Sequence, residues 1–304
     1  MTKQQAAAFG LSKQLVFDDA FIADRDGFAP TMNPAVRNGE PVLAPERPWE
    51  ELGCYAPTVL SDKDGYRMWY GATGDDGVSR LCYAVSADGV RWERPDLGIV
   101  AYGGYHHTND TLDIELATSR DGIRFTRWRQ PFLRLGPTGA FDSKMLYMGV
   151  GLSADSGEIR HYYGGYDQLH DQATVAQYQP AIGLARSRMD GFVSQDAGSS
   201  VSHLTTLPCT LEGDRLEINF DGSSRGWLKV ELLDENYAAI PGFTEGEADR
   251  LAGNDVRRGV TWGGQADLAA LRGRRLRLWF VGQSVKLYAF QFAVAGDERT
   301  SVIS

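Results

Sequence analysis

The residues in this chain best suited to chemistry are carboxylates that stand beside aromatic runs. Glu50 follows Pro48-Trp49, Asp142 lies between Phe141 and Ser143, and Asp167 closes the run Tyr162-Tyr163-Gly164-Gly165-Tyr166. Paired carboxylates can protonate the leaving oxygen of a glycosidic bond and attack or activate water, while rings stack on sugar faces. Asp142 is the first choice, because it opens an expected inner strand where partial burial can tune its proton affinity. Asp167 suits a ligand hydroxyl as well as a proton donor, and it equally suits a turn or cap. Glu50 completes the set of acids. Around them, Trp49, Tyr55, His106, His107, Asp110, Tyr166 and His170 are the expected substrate-binding groups, with Asn109 beside them.

Adjacent residues on a strand point to opposite faces, so His106 and His107 do not easily chelate one ion, and one histidine in a ligand pocket is the better reading. The chain carries no Gly-rich phosphate loop, nucleophile elbow or zinc-spaced cluster. No metal and no cofactor is expected.

The elements that must position these groups are strands. In Tyr66–Pro95 the chain alternates, turns at Gly74-Asp75-Asp76-Gly77, alternates again through Leu81–Val85, and turns at Ser86-Ala87-Asp88-Gly89. Ile114–Phe125 and Ile182–Phe192 repeat that second strand and turn, each after a tyrosine-rich or histidine-rich strand. Repeated antiparallel units with aromatic and glycine punctuation are the sign of a β-propeller. Tyr55–Leu60 reads as an innermost strand and Phe141–Val150 as another, but none precedes Tyr105, so the propeller is incomplete, with residues for about three blades. In an up-and-down blade the start of strand one and the turn between strands two and three share an end. That end gathers the candidate acids and rings; Asp88 and Asp121 fall at the other end and read as turn formers.

Past the small polar segment Asp196–Ser200 the pattern changes to clean alternating strands at Leu216–Phe220, Trp227–Leu232, Val256–Trp262, Arg275–Phe280 and Lys286–Phe292. An all-β chain is expected, with an incomplete propeller over 1–198, which the resemblance given below implies to be of five-bladed type, and a β-sandwich over 199–304. A Pro-rich lead-in up to about Arg47, with a short strand near Phe21-Ile22-Ala23, reads as an extended arm that wraps a domain.

With 304 residues the chain has room for two domains. Its net charge of −9 argues against nucleic acid or an anionic membrane as partner, and no apolar stretch is long enough to span a bilayer. The N-terminus does not read as a signal peptide. Cys54, Cys82 and Cys209 are an odd number at unrelated spacings, which excludes a disulfide framework. A cytoplasmic location follows as the default expectation.

The strand pair Tyr55–Leu60 and Tyr66–Tyr70, together with the Tyr162–Asp167 segment, resembles the five-bladed β-propeller glycoside hydrolases of families 32, 43, 62, 68 and 130. Pro48-Trp49-Glu50, Tyr105–Asp113, Phe141-Asp142-Ser143, Ile240–Phe243 and Thr261–Gly264 are similar to segments of bacterial family-32-like glycosyl hydrolases. The resemblance runs from about residue 14 to 292. It implies a glycoside hydrolase acting on an oligosaccharide or glycoside, with Asp142, Asp167 and Glu50 as the acids that carry over. Two departures stand against it. The middle blades are short, and Tyr55-Ala56-Pro57 stands where family 32 opens its first inner strand with an aspartate. The alternatives are a non-catalytic glycan-binding protein that has lost middle blades, or a homo-oligomer whose copies complete one another.

Overall fold

The computed structural model describes residues 13–75, 79–95, 111–120, 125–155, 157–169 and 180–294. The chain is all-β, and among the described residues helix is confined to single 3-10 turns at Pro48–Glu50 and Ala269–Leu271.

The opening strands are β1 (Gln14–Leu15), β2 (Ile22–Asp26) and β3 (Phe28–Met32). After β4 (Val36–Arg37) come β5 (Gly53–Asp62), β6 (Gly65–Thr73) and β7 (Ser79–Ser86), then β8 (Ile114–Thr118) and β9 (Thr126–Leu133). Next follow β10 (Met145–Met148), β11 (Ser153–Asp155), β12 (Glu158–Tyr166) and β13 (Ala181–Arg188). The remaining strands are β14 (Val193–Ala197), β15 (Ser202–Thr206), β16 (Cys209–Thr210), β17 (Arg215–Asp234), β18 (Leu251–Gly259), β19 (Arg275–Gln283) and β20 (Val285–Ala293).

Two compact units result, one of residues 34–189 and one that joins residues 1–33 to 190–304. The chain therefore crosses between units twice, at 33/34 and 189/190, and not at the single boundary after 198 that composition suggests. The reason is long-range pairing. β2 hydrogen-bonds to β15, and β3 to β14, which in turn pairs with β20. The arm up to residue 33 is thus a structural part of the C-terminal unit, while its later part, with β4, belongs to the 34–189 unit, a relation that no local pattern reports.

In that unit the sheet order is β2-β15-β19-β17-β20-β14-β3. Its two ends, β2 and β3, are halves of one extended segment bent at Gly27 (φ 72°), so the sheet is nearly closed and barrel-like. A side chain at Gly27 would strike Ser202 Oγ at 2.0 Å, which makes glycine obligatory at the bend. Period-two alternation fills the interior: Leu276, Leu278 and Phe280 from β19 meet Leu228, Val230 and Leu232 from β17, all fully buried. β17 pairs with β20 through its first half and with β19 through its second, changing partner across bulges near Asp221–Ser223.

Among the described residues the 34–189 unit holds three small antiparallel sheets: β5-β6-β7, β8-β9 and β10-β12-β13-β4, with β11 paired to β12. Glu93 bridges to Val85 and adds a fourth position to the first sheet. Met68, Tyr70 and Ala84 pack with Tyr162, Ile182 and Leu184 in one core, while Leu133, Leu146, Tyr163 and Ala185 form a second.

Candidate functional site

Glu50 ends the turn Pro48–Glu50, which Pro48 starts with a φ already suited to helix. Its carboxylate is fully buried and fully engaged. Oε1 accepts from the Tyr70 hydroxyl and from Arg94 Nε at 2.8 Å; Oε2 accepts from the backbone N–H of Glu46 (2.9 Å) and Arg47 (3.2 Å). Arg94 also donates to Ala44 O at 2.6 Å and Glu46 Oε2 at 2.9 Å, so the cluster ties residues 44–50 to the first sheet. Burial, then the donated bond to Glu50, push the Tyr70 phenol well above its ordinary range. Burial and the nearby Glu50 charge likewise push up the Cys54 thiol. Trp49, next to Glu50, is exposed.

Asp142 is also buried, at 2% exposure. Its Oδ2 accepts from Arg37 Nη1 at 3.0 Å and from Tyr163 Oη at 2.9 Å, and Arg37 reaches on to Leu135 O at 2.9 Å. Glycines make the room: a Cβ on Gly136 would lie 1.9 Å from Asp142 Oδ1, and one on Gly165 would lie 2.6 Å from the Phe141 ring and 2.7 Å from Asp142 Cβ. Glu50 and Asp142 share no hydrogen-bond partner.

Met145 pairs with Tyr166 at the end of the β10–β12 ladder, so Asp142 and Asp167 flank the same strand end. Asp167 is exposed, with no hydrogen bond or ion pair to another described residue. The Tyr166 ring meets Tyr147 edge-on, centroids 5.4 Å apart, and Tyr147 keeps 37% exposure. The same end receives β5: a Cβ on Gly164 would be 3.4 Å from the Tyr166 ring and 3.7 Å from Ala56 N. Ala56 is in the left-handed region (φ 48°) where β5 slips register between Tyr55 and Thr58. Tyr55 is half-buried over Gly71, its hydroxyl 3.3 Å from Thr73 Oγ1.

The structure thus gathers Tyr55, Tyr166, Asp167 and Asp142 at one sheet end and turns the Glu50 carboxylate into a separate buried cluster. His106, His107, Asp110 and His170 lie outside the described residues. Asp88, read as a turn former, is one: its Oδ1 accepts from Val90 N and Arg91 N, both at 2.8 Å, and these bonds hold its carboxyl below the usual range. Arg37, Arg94 and Tyr147 were not legible as partners. Arg37 sits in the Pro-rich arm and Arg94 in a charged turn, and neither position hints at a carboxylate 105 or 44 residues away. Among the described residues no group of three or more His, Cys, Asp or Glu could hold a metal ion.

No family model matches the chain, and no curated protein matches it. A solved structure described as a glycoside hydrolase aligns at 11% identity with a TM-score of 0.18, over 77% of this chain and 59% of that one. The chain therefore spans less than two thirds of that protein's length, and a score so low decides neither fold nor chemistry.

Proposed function

We propose that residues 34–189 form a shortened β-propeller that binds carbohydrate at the end where Tyr147, Tyr166 and Asp167 meet. Parallel contacts between first strands support the propeller reading: Thr58 bridges in parallel to Val150, and Leu112 to Met145, whereas pairing inside each sheet is antiparallel. β4, from the start of the unit, supplies the outer strand of the last sheet, as closure of a propeller requires. The other unit reads as a sandwich whose two faces are joined by the segment bent at Gly27.

One observation carries the choice of binding over cleavage. Of the three candidate acids, Glu50 is buried with both carboxylate oxygens bonded to protein donors, Asp142 is buried with Oδ2 held by Arg37 and Tyr163, and only Asp167 is open to solvent. Hydrolysis by either stereochemical course needs two carboxyl groups free to reach one glycosidic bond. A lone exposed carboxylate accepts sugar hydroxyls, and the exposed Tyr147 ring, backed by the buried Tyr166, offers apolar surface.

Hydrolysis is the second reading, favoured by the exposure of Asp167, which would donate the proton. Calorimetric titration with a panel of neutral and charged oligosaccharides tests the first reading. A ligand whose affinity falls about ten-fold in Asp167→Asn, with no reducing ends released by the wild-type chain, is the expected result. Release of reducing ends that Asp167→Asn abolishes would establish the second reading instead.

A further inference from the structure

Pairing register gives the sheet β5-β6-β7 two unlike faces. The rows Val59–Met68–Ala84 and Cys54–Ala72 belong to the core shared with Tyr162, Ile182 and Leu184. The rows between them point the other way: Tyr55, Gly71 and Leu81; Thr58, Trp69 and Tyr83; Leu60, Arg67 and Val85. No residue of these three rows is buried, and Leu60 and Leu81 keep 58% and 63% exposure. The face is therefore open. Its one charge, Arg67, is engaged within the chain.

Three rings stand on this face. A Cβ on Gly71 would lie 2.4 Å from Cε2 and 2.8 Å from Cδ2 and Cζ of Tyr55, so that ring covers the bare backbone of Gly71 and turns its other side outward. Trp69, two residues along β6, meets Tyr83 with ring centroids 5.3 Å apart and planes at 55°. The Tyr55 hydroxyl is taken, 3.3 Å from Thr73 Oγ1. Trp69 Nε1, Tyr83 Oη and Thr58 Oγ1, by contrast, make no hydrogen bond to another described residue. These three residues stand side by side in one row, about 4.8 Å from strand to strand.

We propose that this face extends the carbohydrate site and takes further units of a neutral oligosaccharide chain. The inference rests on the carbohydrate reading above and names its ligand class, a chain and not a single sugar. Continuity along β5 supports it. Ala56, next to Tyr55, has its N 3.7 Å from a Cβ on Gly164, which would also lie 3.4 Å from the Tyr166 ring, so β5 leads from the Tyr166 end onto the open face. The rings offer apolar surface to sugar faces, while the indole N–H and the two hydroxyls exchange hydrogen bonds with sugar hydroxyls. With Arg67 engaged, these rows hold no unpaired charge for an ionised sugar.

Calorimetric titration of the full chain with xylo-, cello-, manno- and fructo-oligosaccharides of two to six units tests this, in the wild type and in Trp69→Ala, Trp69→Phe, Tyr83→Ala and Asp167→Asn. Wild-type affinity for at least one series should rise five-fold or more between two and six units. That gain should vanish in both alanine variants and partly return in Trp69→Phe, while Asp167→Asn weakens every length alike. Thermal melting confirms that each variant is folded. Affinity that does not grow with length, or a gain kept in both alanine variants, would overturn this proposal and leave the Asp167 site standing; no binding of any saccharide would overturn both. A wild type that self-associates in light scattering while Trp69→Ala does not would assign the face to a contact between copies of the chain and overturn the proposal as well.

Discussion

The Tyr163 hydroxyl donates to Asp142 Oδ2 at 2.9 Å, and the same oxygen takes the guanidinium of Arg37 at 3.0 Å. One buried carboxylate thus joins β12 to β4. Its loss leaves a partly buried cation and a buried phenol without their acceptor, a change that costs about 3 kcal/mol. Asp142→Ala should lower the unfolding free energy of the 34–189 unit by that amount, read from the shift of the denaturant midpoint, and Asp142→Asn by less, since the amide oxygen still accepts from Tyr163. An alanine variant as stable as wild type would mean that Asp142 is held at a cost to stability, as a functional group is.

Glu50 gives a sharper contrast between structural and catalytic roles. Glu50→Gln places an amide NH₂ against one of two donor pairs in a site with no water-exposed carboxylate surface, so a loss of about 3 to 5 kcal/mol is expected. Tyr70→Phe removes one donor and should cost about 1.5 to 3 kcal/mol. Both effects would appear in urea unfolding. If Glu50→Gln instead left the midpoint unchanged and altered only ligand affinity or turnover, the buried-cluster reading would be wrong.

How much of this was legible in the sequence depends on the range of the interaction. Alternation gave the strands at Tyr66–Tyr70, Leu81–Val85, Ile182–Ser187 and Arg275–Phe280, because period two is a local signal. It misplaced β18, expected at Val256–Trp262 and found at Leu251–Gly259. That strand lies outside the main path of the sheet and contains Gly253, Asn254 and Asp255, which read as turn residues. The division at 33/34 and 189/190 was not recoverable, and the pattern placed a single boundary after 198 instead, since β2, β3 and β14 join the C-terminal unit through partners up to about 180 residues away. At the site, Asp142 and Asp167 stood out by type and position. Burial separated their roles, and burial depends on Arg37, Tyr163 and Gly165, whose convergence is set by the folded sheets.

Gly165 tests how closely the Asp142 turn is packed. A methyl group there would stand 2.6 Å from the Phe141 ring and 2.7 Å from Asp142 Cβ, so either the turn or β12 must move. Gly165→Ala should destabilise by about 1 to 3 kcal/mol and weaken sugar binding at Asp167, which shares the strand end. Gly139→Ala, close to the same turn, is the opposite case: no atom lies within 4 Å of a Cβ there, but its φ of 92° is in the left-handed region, so its cost is backbone strain without a side-chain clash. A loss of binding in Gly139→Ala as large as in Gly165→Ala would show that binding follows the integrity of the turn as a whole and not the Phe141–Asp142 contact.

His161 should make the stability of the 34–189 unit depend on pH. Its ring is 2% exposed, edge-on to Phe132 at 5.3 Å and 2.8 Å from Ser187 Oγ, and burial depresses its pKa from 6.5 to about 4. The unfolded chain therefore binds a proton at this residue between about pH 6.5 and pH 4, where the folded chain does not. Stability must fall as pH drops through that window, be fully present above it, and level off below it. The gap corresponds to a loss on the order of 3 kcal/mol. Urea unfolding at intervals from about pH 4 to pH 7.5 should show this slope in the wild type and a much shallower one in His161→Gln, which keeps a polar group toward Ser187 but cannot take up the proton. Identical slopes in the two proteins would assign the acid sensitivity to carboxylates and remove His161 as its cause.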